Sequence, residues 1–160
     1  MWCRSWALPV VSLAASLLLG CGSKDSVALS AHISQAELEL DRVTLGAVLA
    51  GGFEVTLELG PEASEATEVS LEAFALAPAN GGGDLAVSFA PEAAERFPLK
   101  LGVGELKRVE FSLPQDILSA DAEAELCQGP IEIRGALRDT LSGGGLTSLR
   151  SRSMEVTGCR

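Results

Sequence analysis

Residues Phe53, Val55, Leu57 and Leu59 alternate with Glu54, Thr56 and Glu58, a strict period of two that only an extended strand with one buried face satisfies. The same period recurs along the chain. Val27, Leu29, Ala31 and Ile33 alternate with small or polar residues, and Leu38 and Leu40 with Glu37, Glu39 and Asp41. Val69, Leu71 and Ala73 follow one parity while Phe74 and Leu76 follow the other, which predicts a bulge near Ala73–Phe74. Leu85-Val87-Phe89, Phe97-Leu99-Leu101, Leu106 with Val109-Phe111-Leu113, Ile131-Ile133 and Met154-Val156 complete the predicted strands. Turn signals separate them at Gly51-Gly52, Gly60-Pro61, Pro78 to Gly83, Gly102 to Gly104, Gly129-Pro130 and Gly143 to Gly145. Pro91–Arg96 and Pro114–Ala120 each suit a single helical turn, the latter with Asp116 as cap. Strands at intervals of about ten residues, with no helical stripe of any length, predict an all-β sandwich or barrel over residues 27–160.

Residues 1–20 have the three parts of a secretory leader, and predict a cleaved, helical signal peptide. Arg4 provides the positive start, and Ala7–Leu19 the apolar run. At about 1.5 Å per helical residue that run reaches about 20 Å, short of the ~30 Å hydrocarbon core of a bilayer. Pro9 lies inside it. The segment Leu18-Leu19-Gly20-Cys21, followed by polar Gly22-Ser23-Lys24-Asp25, resembles the lipobox of bacterial lipoproteins. The resemblance implies cleavage before Cys21, a diacylglycerol on its Sγ and acylation of its new α-amine. Each buried CH₂ of lipid contributes about 0.8 kcal/mol, so two or three chains anchor the protein durably. Gly22 stands where an Asp retains some lipoproteins in the inner membrane, so the resemblance implies a cell-envelope location with the outer membrane favoured. Residues 21–26 form a short lipidated tether. Its five residues after the cysteine reach about 17 Å at most, which points to a membrane-proximal envelope protein as partner.

Composition excludes several classes. Arg4 is the only charge in the leader, so of the 12 basic and 22 acidic residues all but that arginine remain, a net charge of −11. Such a body repels nucleic acid and anionic lipid. Tyr is absent, which argues against an aromatic sugar-binding platform. Once Cys3 leaves with the leader and Cys21 is lipidated, Cys127 and Cys159 remain as a pair. An exported compartment favours their oxidation, and a disulfide would pin the last residues to a strand around Glu125–Cys127.

The segment Val43-Thr44-Leu45-Gly46-Ala47-Val48-Leu49-Ala50-Gly51, the strand Phe53–Leu59, Asp84-Leu85-Ala86-Val87-Ser88-Phe89-Ala90-Pro91 and Gly104-Glu105-Leu106-Lys107-Arg108-Val109-Glu110-Phe111-Ser112-Leu113-Pro114 together resemble immunoglobulin-like modules of the choice-of-anchor and ASH type. The resemblance spans residues 41–137 and implies a single antiparallel sandwich of about seven to nine strands. It departs from the pattern where Gly60-Pro61-Glu62 replaces an Asn-x-Gly, and the Cys127/Cys159 tail is additional.

Catalytic constellations are hard to assemble. His32 is the sole histidine, no G-x-S-x-G elbow occurs, and alternation places His32 opposite Leu29 and Ile33 on a solvent face. A zinc site lacks a second imidazole or a C-x-x-C spacing, and no cofactor or metal is predicted. Glu37, Glu39, Asp41, Glu54, Glu58, Glu68 and Glu72 would form an outer carboxylate patch if their strands were neighbours, but no calcium-loop spacing accompanies them. Gly81-Gly82-Gly83-Asp84 and Gly143-Gly144-Gly145 lack the lysine and helix of a phosphate loop. Arg134, Arg138, Arg150 and Arg152 are the one local concentration of basic residues. The expectation is a non-enzymatic, membrane-anchored binding or scaffolding module. The alternatives are a small-ligand or lipid carrier with a barrel-like cavity and, less favoured, an envelope hydrolase.

Overall fold

The computed structural model describes residues 28–87, 89–141 and 144–159. The predicted leader over residues 1–20, the tether over residues 21–26 with Cys21, and the first predicted strand residue, Val27, lie outside the described residues. Among the described residues the strands are β1 (Leu29–Val43), β2 (Gly46–Leu59), β3 (Thr67–Pro78), β4 (Glu92–Ala93), β5 (Leu99–Leu101), β6 (Leu106–Ser112), β7 (Ile117–Leu118), β8 (Ile131–Asp139) and β9 (Leu146–Arg150). One short helix, α1, spans Ala120–Leu126. Two antiparallel sheets result, with no closed barrel. One has the order β1-β2-β6-β4, with β7 also pairing β2, and the other β5-β3-β8-β9.

The alternating apolar residues face one another across the two sheets, as a sandwich requires. Leu57, Leu59, Leu76, Leu101, Ile133 and Leu137 are wholly buried between them. All five phenylalanines of the chain meet in one cluster. Phe53 stacks on Phe111 at 4.9 Å, and Phe74 packs edge-on against both at 5.2 Å. Gly135 makes room for the Phe74 ring: a Cβ there would lie 2.5 Å from Phe74 Cε1.

The change of parity between Ile33 and Leu38 marks a bulge. β1 and β2 pair along their whole lengths, but the register shifts between Ser34 and Glu37, where Gln35 adopts φ 49°. Gly51-Gly52, predicted as a turn, instead lies inside β2 opposite this bulge. A Cβ on Gly51, at φ 121°, would sit 2.1 Å from Glu37 O, and one on Gly52 would sit 2.4 Å from Phe111 O. The glycines are there because neighbouring backbones approach too closely for any side chain. The hairpin actually turns at Thr44-Leu45, with Val43 opposite Gly46. The bulge predicted near Ala73–Phe74 is present between Leu71 and Ala73 in the pairing of β3 with β8.

Other predicted elements differ. Leu85–Val87 and Phe89 are loop, with their backbone held piecemeal: Leu85 N donates to Leu76 O, and Ala86 N to Glu125 Oε2. Pro91–Arg96 contains no helical turn; Glu92–Ala93 adds to the edge of β6 opposite Ser112 and Phe111. Pro114–Ala120 is not helical until its end. Ile117–Leu118 pairs Ala47–Val48, and Ser119, not Asp116, caps α1 by accepting from Ala122 N. Glu125 and Leu126 therefore end a helix of strong helix formers, with Cys127 as its C-cap, and form no strand. Met154–Val156 forms no strand; Met154 makes one isolated bridge with Ile131.

Candidate functional site

The two sheets meet at one side and then diverge, leaving a groove between the edge of β1 and the chain after β9. They touch where Thr147 Oγ1 donates to Leu29 O at 3.5 Å. Beyond that point the terminal arm, residues 151–159, leaves the β8 edge and crosses to β1. Ser151 N donates to Ile133 O, and Ile131 and Met154 exchange two backbone bonds of 2.9 Å. Thr157 then bridges β1, donating to Leu38 O and accepting from Leu40 N. Cys159 closes the arm through a disulfide to Cys127, with Cα atoms 5.5 Å apart, so the predicted pair is formed. It fastens the arm to the C-cap of α1 where a strand was predicted.

The groove so framed has a volume of about 700 Å³ and is lined by His32, Ile33, Gln35, Arg150, Arg152 and Met154 among others. It continues under the arm into a smaller recess of about 330 Å³ beside Glu37, Glu39 and Glu155. The ladder shows which backbone groups look into it. Gly60 N donates to Ala28 O, so Ala28 and the alternate residues Ser30, His32 and Ser34 spend their backbone bonds on β2. Ala31 and Ile33 therefore turn their N–H and C=O toward the open edge. Leu38 and Leu40 do the same farther on, and there Thr157 meets them.

Charge divides the groove. Arg134 and Arg150 are cross-strand partners on the outer face of β8 and β9. Glu132, only 6% exposed, lies between them: Arg134 Nε is 2.7 Å and Arg150 Nε 3.4 Å from its Oε1. Arg134 Nη1 also donates to Gly82 O at 3.0 Å, so the Gly81–Gly83 segment is tied down to β8. Arg138 is spent elsewhere on Glu72 at 2.6 Å. That hydrogen bond, then the carboxylate's charge, raises the guanidinium above its ordinary pKa. Among the described residues Arg152 makes no ion pair, and the exposed His32 side chain, which lines the groove, has no hydrogen bond or ion pair. The predicted arginine group thus splits, with Arg150 and Arg152 lining the groove.

The predicted carboxylate patch also splits. Glu37, Glu39, Asp41, Glu54 and Glu58 belong to the β1–β2 sheet, Glu68 and Glu72 to the opposite one. Glu54 accepts from Ser34 Oγ at 3.1 Å and faces Glu110 across the ladder. Among the described residues no three His, Cys, Asp or Glu side chains come together as a metal site would need. Gln35, Ser151 and Met154 are the groove residues that sequence reasoning missed; the parity change between Ile33 and Leu38 was the available signal for the first. No protein-family model, curated protein or solved structure matches this chain.

Proposed function

We propose that this chain is a bacterial envelope lipoprotein, anchored through lipid on Cys21, whose immunoglobulin-like sandwich is a non-enzymatic binding module for a membrane-proximal protein. The supporting observation is the groove along the first strand: an open sheet edge, flanked by cationic side chains, close in sequence to the anchor. Cys21 precedes Leu29 by eight residues, which span about 28 Å when extended. The groove opening at Ala31 therefore stays close to the bilayer, on the outer membrane by the Gly22 criterion. A carrier would need an enclosed apolar cavity, whereas the sandwich interior carries interlocked leucines and phenylalanines, which favours recognition at the surface. Hydrolysis would need a partner for His32, and no carboxylate or hydroxyl engages it among the described residues.

Anchoring is tested by fractionating cells that express the wild-type chain or Cys21→Ala. The wild type should sediment with membranes and carry the added mass of acyl chains on its N-terminal peptide, and the variant should carry none and be released. Equal sedimentation of both forms refutes the proposal.

A further inference from the structure

We propose that the groove binds an extended, carboxylate-bearing segment of a partner protein, which adds as a strand to the edge of β1 at Ala31–Ile33 while Arg150 and Arg152 meet its acidic side chains. This rests on the reading of the chain as a binding module and names the chemistry of what it binds.

The edge is the first ground. Ala31 and Ile33 present backbone donors and acceptors in register for one more strand, the mode by which sheets capture extended peptides. The same edge is already used this way within the chain. Beyond the bulge, Thr157 completes β1 in parallel register through Leu38 O and Leu40 N at 3.0 and 2.8 Å. What the arm does for the second half of β1, nothing described does for Ala31 and Ile33. The stretch from Ala31 to Gln35 measures about 13 Å, room for roughly four residues of an added strand.

Charge selects the occupant. The chain carries −10 overall, yet this half of the groove is walled by Arg150 and Arg152. Arg150 is shared with Glu132, and among the described residues Arg152 has no ion pair, so its guanidinium is available without breaking one. A second copy of the chain pairing edge to edge would bring the same cations against themselves, which disfavours self-association here. The backbone at Gln35, held at φ 49°, ends the accessible edge and turns the wall outward, a placement typical of bulges beside binding sites.

The test uses the full-length protein purified in mild detergent and two labelled, end-blocked peptides, one alternating valine with aspartate and the other valine with lysine. Fluorescence anisotropy reads binding, and hydrogen exchange reads the amides of Ala31 and Ile33. The aspartate peptide should bind, weaken as salt is raised and slow exchange at both amides, while the lysine peptide should not bind. Arg152→Glu, an exposed position, should weaken binding about tenfold or more. Ala31→Pro removes one edge N–H and should abolish binding, with its folding checked by circular dichroism. Equal binding of both peptides, binding without protection of Ala31 and Ile33, or no binding at millimolar peptide each overturns the proposal. Fractionating the cells that express the same proteins separates the two readings: lost peptide binding with retained membrane anchoring refutes the groove alone.

Discussion

Removing the staple between Cys127 and Cys159 should loosen the arm before it unfolds the sandwich. The bridge joins residues 32 apart in sequence, a closure that restricts the unfolded chain by about 3.7 kcal/mol in the chain-entropy account. Unfolding entropy of about 2.1 cal/mol/K per residue gives a sandwich of this size roughly 0.28 kcal/mol per degree. The double variant Cys127→Ala/Cys159→Ala should therefore lower Tm by up to about 13 °C in calorimetry, less where the freed arm relaxes. The local effect is more specific. Leu40 N–H donates to Thr157 O across the parallel bridge, whereas β2 lies between β1 and β6. In the intact protein the amides of Leu40 and Val55 should exchange on comparable timescales. In the variant Leu40 should exchange far faster, by fraying of the arm, while Val55 continues to report global unfolding. A Tm within about 2 °C of wild type, or equal protection of Leu40 and Val55 in the variant, would refute the claim that the disulfide holds the arm on β1.

Phe111→Ala opens the shared phenylalanine cluster and should cost about 3–5 kcal/mol in urea titration, because Phe53, Phe74 and Phe97 all lose a ring partner. Gly135→Ala drives a Cβ into the Phe74 ring and should cost about 1–3 kcal/mol; an unchanged midpoint would mean the ring moves freely. Asp139 is buried, with Oδ1 accepting from Leu141 N and Gly145 N while Oδ2 has no partner among the described residues, so Asp139→Ala should cost about 1–3 kcal/mol and free Leu141 N and Gly145 N, read as lost amide protection at Gly145. Ser119→Ala removes the cap of α1 and should cost about 1 kcal/mol by the same titration.

Period-two alternation was enough to read the layers of this fold because it reports burial directly: each of Phe53, Val55, Leu57 and Leu59 is buried where the pattern places it. Local signals failed where tertiary contact overrode them. Gly51-Gly52 has the composition of a turn, yet it fills a site of close backbone approach that only the folded neighbours Glu37 and Phe111 create. Leu85, Val87 and Phe89 alternate like a strand, yet among the described residues they join no ladder and reach the core from a loop. The strand β9 was missed because Leu146-Thr147-Ser148-Leu149-Arg150 spaces its leucines three apart, a spacing that hides the inward pair Thr147 and Leu149. The groove was less legible still. Its residues come from both ends of the sequence, and Arg150 and Arg152 become neighbours of His32 only when the sheets diverge.

The first strand ties these features together. β1 runs 15 residues, about 48 Å from Leu29 to Val43, and different partners occupy successive parts of its outer edge. Thr147 meets it at Leu29 and Thr157 at Leu38 to Leu40, with the open segment between. An edge left open over so short a span, interrupted by a bulge and flanked by arginines, is poorly suited to edge-to-edge aggregation but remains able to accept a short complementary strand. If Cys21 carries lipid, that open segment lies ten residues from the anchor, so the partner's acidic segment must come within about 35 Å of the bilayer to reach it. The disulfide then has a role beyond stability. By holding the arm on Leu38 and Leu40 it confines the open edge to Ala31–Ile33, and its loss should extend the template toward Leu40 and relax the selectivity that Arg150 and Arg152 impose.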